Sequence, residues 1–538
     1  MARRTPGQPH IVIIGAGVSG MSMAIALKED LGFTNFTIIE KAAEVGGTWR
    51  DNIYPGSSSD VAVHFYSLSR DLKSDWTHSH AFQPELQEYW LKLAHKYDLY
   101  SNIIFNRTVL SAQWNPKEQR YNIVSEDSVG AHLILNADIL VSAIGLLEVP
   151  KFPDIPGITR FKGDSFHSAR WISDISLAGK HVAVIGSGPS ATQFVPIISK
   201  DPSVNVTQFC RSRNWILPPV RREYSATQKW LLGHVPFYLR AFRNFSYIWS
   251  EILYFAIFSN TTTHSFVERN AKTYMTQTTP AEYVNQVVPV APSHKVGCKR
   301  VVYDTNYLPS LARPNLSSVW DPIESISADG ILTREGTRSS CSTEFDVIIY
   351  STGYVTDQYP IYVKGSRGQT VAEYYEACGG PTAYLGTTIP GFPNFFWNVG
   401  PNTATGHTSL LFAIEVQIAY VIQMVKPVIA GDIVSLEVTA AAADAYNAKI
   451  QSRLAGYIWS KCFSWYRAGN TGKITGLFPG PMFLFWWWLR HPNWAHYKVL
   501  AVGQWEPRQP FWRKRNLTLV SAALGVGLVM ACVGFESI

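Results

Sequence analysis

Charge is scarce in this sequence. Only 16% of its 538 residues are Asp, Glu, Lys or Arg, and the net charge is +7. No run of bases is long enough to track a nucleic-acid backbone, so no nucleic-acid partner is expected. The modest positive balance suits a phosphorylated ligand or an anionic membrane face. Cysteine is scarcer still. Six residues, at 210, 298, 341, 378, 462 and 532, lie far apart with no Cys-x-x-Cys pair. That spacing argues against a disulfide scaffold and against a zinc site, and for a reducing compartment; no metal is expected. No signal peptide is expected at the N-terminus either. Arg3 and Arg4 precede polar residues and Pro9, and the apolar run Ile11 to Ile14 is too short for an h-region. A cytosolic start is expected.

Long apolar runs are missing from nearly the whole chain. The exception is Leu517 to Phe535, which carries no charge and follows Arg513-Lys514-Arg515. About 20 apolar residues span a bilayer, and a basic flank stays on the cytoplasmic side. One reading of residues 516–538 is therefore a C-terminal transmembrane anchor on an intracellular membrane, with the rest of the chain facing the cytosol. The other is a final packing helix diluted by Gly525, Gly527 and Gly534, in a cytoplasmic protein.

What is present is apolar content of 46%, enough for an ordered protein, over a length that calls for two or more domains. The β-branched run Ile11 to Ile14 reads as a buried parallel strand. It leads into Gly15-Ala16-Gly17-Val18-Ser19-Gly20 and a helical pattern. Gly15 permits a tight turn, Gly17 lets backbone approach a pyrophosphate, and Gly20 lets the helix pack on the strand. A diphosphate then sits at the helix N-terminus. A second strand ends in Glu40, twenty positions after Gly20. A carboxylate there accepts from ribose hydroxyls and repels a 2′-phosphate, which selects FAD or NAD over NADP.

The same unit recurs. His181 to Ile185 leads into Gly186-Ser187-Gly188-Pro189-Ser190-Ala191, a helix, and a strand ending at Arg211. A base at the place of the acid can grip a 2′-phosphate, so the second nucleotide is expected to be NADPH. Two more apolar strands, in 138–145 and 346–353, each close on a small residue and glycine, as where the chain crosses between nucleotide domains; either could be any buried strand.

With these motifs the chain resembles the flavin-containing monooxygenase superfamily, and its Baeyer–Villiger branch in particular, from about residue 10 to about residue 480. Phe161, Gly163, His167 and Trp171 match the family pattern FxGxxxHxxxW, although Ile172 stands where the Baeyer–Villiger pattern has Pro or Asp. Gly46-Gly47-Thr48-Trp49, Tyr54-Pro55-Gly56 and Asp60 match a stretch that lies over the flavin. Gly297-Cys298-Lys299-Arg300 matches the segment whose lysine touches the NADPH phosphate and whose arginine reaches the flavin. Residues 391–407, ending in Gly406-His407, resemble the return of the chain beneath the isoalloxazine. The resemblance implies that Thr48, Trp49, Arg50, Asp51, Ser58, Ser59, Asp60 and Tyr66 contact cofactor, as do Gly186 to Ala191, Thr192, Gln193, Arg211, Ser212, Lys299 and Arg300. It makes Asp60 and Arg300 the catalytic pair.

The resemblance implies oxidation of an apolar ketone to an ester or lactone through a C4a-peroxyflavin, with dioxygen as co-substrate. A fixed cation such as Arg300 stabilises the anion that attacks a carbonyl, and a carboxylate such as Asp60 holds the guanidinium by a bidentate contact. The plainer readings are a turn cap for Asp60 and a solvated pair for Lys299 and Arg300. For His167 a hinge role is favoured over proton transfer, and for Trp171 packing over chemistry. The alternative enzymes are an N- or S-oxidising or hydroxylating flavin monooxygenase, or an NADPH-dependent flavin reductase or oxidase without oxygen insertion.

The expected fold is α/β, with two Rossmann-like dinucleotide-binding domains and a helical insertion. Residues 1–165 form the first part of the FAD domain and 166–344 the NADPH domain. An aromatic-rich helical insertion at about 225–290 lies over the active site, or is an ordinary buried helical pair. Residues 345–515 return to the FAD domain.

Overall fold

In a computed structural model, residues 8–258, 262–289, 295–334, 343–470 and 472–507 are described. The apolar segment 517–535 and its basic flank lie outside them.

The strand Ile11–Ile14 is buried at all four positions, as a run of β-branched residues covered on both faces must be. It sits at the centre of a five-stranded parallel sheet in the order 395–397, 139–142, 11–14, 36–39, 103–104. The outermost strand, Phe395–Trp397, comes from the far half of the chain, so this sheet is closed only when residues far apart in sequence meet. A second parallel sheet repeats the plan, in the order 316–319, 205–209, 181–185, 347–350, 164–167. The α/β class expected from the two glycine turns is the class observed. A four-stranded sheet built on Arg107–Asn115 and Arg120–Asp127 packs outside the first.

The aromatic-rich stretch is helical, as Ala226–His234, Tyr238–Phe258, Thr262–Thr278 and Ala281–Val287. The second of these ties the insertion to the first sheet's domain. Arg243, buried on it, pairs with Glu415 at 3.2 Å, and Tyr247 stacks on Phe412 at 5.0 Å. Its last residue, Phe258, lies where a side chain on Gly297 would collide, with a built Cβ only 2.9 Å away. The insertion thus runs from Glu415 to the edge of the segment 297–300.

The helix Leu410–Ile429 is the one described element long and apolar enough to cross a membrane. It packs instead against Val18–Leu31, and residues such as Ala413, Tyr420 and Val425 are fully buried.

Candidate active site

Both nucleotide turns have the same backbone solution. Gly15 has φ +102° and Gly186 φ +123°, values that favour glycine. A Cβ on Gly15 would lie 3.0 Å from the Ala143 carbonyl oxygen, and one on Gly186 2.4 Å from that of Ser351. Ala143 and Ser351 belong to the two segments that the sequence singles out as closing on glycine, so each nucleotide turn crosses the end of such a strand. Gly20 is the tightest. Its Cβ would meet the Gly15 carbonyl oxygen at 1.9 Å. Gly20→Ala is therefore expected to cost about 2–3 kcal/mol of stability. A lowered melting temperature together with loss of bound flavin absorbance checks this.

The helices after the turns, Val18–Leu31 and Pro189–Ile198, begin at Gly17 and Gly188 with no side-chain cap. Their first N–H groups are thus left for a ligand. Near the first turn, the hydroxyl of Ser19 is buried with no partner among the described residues. So are both amide atoms of Asn398, which lines a second cleft with Ser142, Gly145 and Gly400. A bound polar molecule satisfies such groups. A dinucleotide whose diphosphate meets the turn fits this donor set.

Glu40 follows the strand Phe36–Ile39 and is buried. Its carboxylate accepts from the Ala16 N–H at 2.7 Å and from Arg50 Nη1 at 2.9 Å. Thr48, Trp49, Arg50 and Asp51 form a short helix beside the turn, positioned by Gly47, whose Cβ would sit 2.9 Å from the Gly17 Cα. Arg50 also holds Asp51 at 2.8 Å, and the Trp49 ring meets Tyr66 edge-on at 5.7 Å. Burial pushes the Tyr66 hydroxyl up to about 12, so this ring stays neutral. Ser59 N–H donates to the Ala81 carbonyl at 2.9 Å.

The second turn is joined to the first domain through Gln193. Its amide donates to the Ser58 carbonyl at 3.1 Å and accepts from the Tyr54 hydroxyl at 3.0 Å. Ser187 Oγ donates to the Ser212 carbonyl at 3.1 Å, which fixes the chain beyond the strand that ends before Arg211. Pro189, Ser190, Ala191 and Thr192 open the helix. Arg211 is exposed. Burial, and after it the charge of Arg211, lowers the pKa of Lys299. Two cations are thus held close enough to repel each other, an arrangement that an anion relieves.

Asp60 and Arg300, 240 positions apart, meet in a bidentate pair, with Arg300 Nε to Oδ2 at 2.7 Å and Nη2 to Oδ1 at 2.6 Å. The Asp60 carboxylate raises the arginine pKa further, so the cation is permanent. The side chains keep 35% and 28% exposure. Asp60 lines an open cleft of about 410 Å³ together with His80, Pro189, Gln193, Arg221 and Tyr303. The cleft therefore has one wall from each nucleotide unit.

His167 sits where strand Asp164–His167 ends in the second sheet, beside Tyr350. Its Nδ1 accepts from the Ala169 N–H at 3.1 Å, and burial lowers its pKa to about 4. Phe152 and Tyr354 meet the ring edge-on, and the Gly353 backbone acts against the burial. Trp171 packs between Phe166 and Phe194. Phe161 joins a small core under the second sheet, and Gly163 lies where a Cβ would be 2.5 Å from the Asp346 carbonyl. These four residues pack within and beside the second sheet.

The cysteine expectation needs correction. Cys298 and Cys462 form a disulfide across 164 positions, with Cα atoms 5.6 Å apart. Spacing along the chain could not reveal it, because the two meet only when the segment 297–300 packs on residues 458–466. Trp459 Nε1 donates to the Gly297 carbonyl at 3.0 Å beside it.

Several cleft residues carry no sequence signal. Arg221 donates to the Ser58 hydroxyl and, at 3.0 Å, to the His80 carbonyl, and its guanidinium lies over the Phe82 ring. Burial lowers the His80 pKa to about 4, so its ring is neutral. Outside the cleft lining, burial pushes the Tyr466 hydroxyl up to about 12 against the charge of Arg300.

Residues 8–371 match the model of the flavin-binding monooxygenase-like family. The chain belongs to this family. It is 36% identical over 486 residues to a Baeyer-Villiger monooxygenase of Pseudomonas aeruginosa, covering 87% of each chain. A Baeyer-Villiger monooxygenase of Streptomyces coelicolor is 34% identical, over 91% of this chain and 92% of that one. The fold superposes on a closed crystal structure of cyclohexanone monooxygenase with a TM-score of 0.81 and 24% identity, over 93% of this chain and all (100%) of the other. In this member of the flavin-binding monooxygenases, Glu40 stands beside the first uncapped turn, and the charge of Arg211 reaches Lys299.

Proposed function

We propose that this chain is a FAD- and NADPH-dependent Baeyer–Villiger monooxygenase acting on an apolar ketone. The overall change is ketone, dioxygen, NADPH and a proton going to ester or lactone, NADP⁺ and water. The bidentate Asp60–Arg300 pair, set in the cleft between two nucleotide turns, carries this reading. FAD, reduced by NADPH, supplies the activation of dioxygen. The chain's own part is electrostatic. Arg300 presents a fixed planar cation where negative charge grows on the oxygen of the attacked carbonyl. Asp60 orients that cation without neutralising its free N–H groups. Glu40 selects the flavin dinucleotide, and Arg211 with Lys299 selects the 2′-phosphate of NADPH. Product analysis with ¹⁸O-labelled dioxygen across a panel of cyclic ketones tests the reading. One labelled oxygen in a lactone is expected; NADPH consumption with no oxygen in the product would overturn it.

The same reading includes a membrane anchor at residues 517–535, supported by their lack of charge and by the preceding Arg513-Lys514-Arg515. Full-length protein is expected in the membrane fraction and to leave it only with detergent. Recovery of the whole pool in a detergent-free soluble fraction would rule the anchor out.

A further inference from the structure

The last four turns of the insertion helix Tyr238–Phe258 are mostly apolar, and their outward side is left open. Between Phe242 and Phe258 its sequence holds two charged residues, Arg243 and Glu251. Both turn inward. Arg243 pairs with Glu415. Glu251 meets buried His407 at 3.4 Å. On the outward side, Trp249 and Ile252 are 48% and 54% exposed. An apolar helix face left open to solvent marks an interaction surface.

A second helix has the same character. Met482–Leu489 reads MFLFWWWL, with no polar residue. Met482, Phe485 and Leu489 are buried, whereas Phe483, Trp486 and Trp487 are 53%, 38% and 46% exposed. The two helices meet end to side. Glu251 accepts from the Met482 N–H at 3.0 Å, so the carboxylate that clears charge from one helix caps the other. The two exposed apolar faces therefore border each other. At the far end of the second helix, the guanidinium of Arg490 lies 3.2 Å from the Trp487 ring centre.

We propose that these two faces form one membrane-docking surface that lays the insertion on a lipid bilayer. The inference rests on the tail-anchor reading above and deepens it. The occupant follows from where the remaining chain departs. The strand Tyr497–Ala501 is the last described element, and Trp505 beyond it packs on Trp494 at 5.0 Å, a few residues past Arg490. The last described residues, through 507, are thus held at Trp494, and the three bases and the uncharged run 517–535 follow in the sequence. Tryptophan prefers the boundary between lipid and water, where its ring is buried and its N–H stays wet. Arginine beside it suits anionic headgroups. An apolar face this size facing water otherwise costs solubility.

Full-length protein reconstituted with phosphatidylcholine–phosphatidylserine vesicles tests this. The tail segment 517–535 has no tryptophan, so quenching by brominated phosphatidylcholine reports the body. Trp512 supplies a constant background. Wild-type emission should be quenched, and the double variant W249Q/W487Q should lose most of that quenching while still sedimenting with vesicles. Flavin absorbance and melting temperature of the variant, unchanged from wild type, exclude misfolding. Equal quenching in both proteins, with both on the vesicles, overturns the docking surface and leaves the anchor standing. Failure of the wild type to sediment overturns both the anchor and the docking surface. A lipid-free wild-type dimer that W249Q/W487Q makes monomeric assigns the surface to a second copy of the chain and overturns the lipid assignment.

Discussion

Arg300→Ala should lower the rate of ketone conversion by about a hundredfold or more, on the order of 3 kcal/mol of lost charge stabilisation. The guanidinium is held by two separate hydrogen bonds to Asp60, so its position is fixed before any substrate arrives. Removing it also leaves the Asp60 carboxylate without its partner on the cleft wall. Reduced protein should then still consume oxygen slowly and release hydrogen peroxide. Arg300→Lys should rescue poorly, because an ammonium cannot make the planar bidentate contact. Asp60→Asn should reduce conversion less, since the cation remains but loses one charged anchor. The check is lactone yield per NADPH consumed under single-turnover conditions. Conversion by Arg300→Ala at the wild-type rate would remove the pair from the mechanism.

Arg211→Ala should reduce kcat/KM for NADPH by roughly 10- to 150-fold, the range for losing a hydrogen bond to a charged group at about 1.5–3 kcal/mol. The value for NADH should change little, because NADH has no 2′-phosphate. Arg211 is exposed, so salt screens its charge and the effect should be largest at low ionic strength. Lys299→Ala should show the same preference. With the repulsion from Arg211 gone, the pKa of Lys299 in the Arg211→Ala variant should rise toward its ordinary value. Equal losses with both coenzymes would take Arg211 out of phosphate recognition.

The glycine turns, the strands that carry them and the opposite charges of Glu40 and Arg211 are legible in the chain because they are local. Each needs only a strand, a turn and a helix adjacent in sequence, and a φ near +100° at Gly15 or Gly186 restricts the residue type strongly. The Asp60–Arg300 pair is legible only through family resemblance. Nothing in composition or spacing joins residues 240 positions apart.

Other features stay hidden for the same reason. Arg221 looks like one of two loop arginines until Ser58, His80 and Phe82 gather around it. The reducing compartment inferred from scattered cysteines misses Cys298–Cys462, since proximity in space is not written in their separation. The aromatic insertion reads equally well as a cover over the active site or as an ordinary buried helical pair. Helical periodicity tells which residues share a face, but not which face the rest of the protein covers. By itself, the sequence determined two glycine turns on parallel strands and the opposite charges, Glu40 and Arg211, that follow them, because short-range sterics and local order suffice. Only the tertiary structure decided which side chains form the cleft, which cysteines bond and which apolar face is left open, because each depends on surfaces brought together from distant parts of the chain.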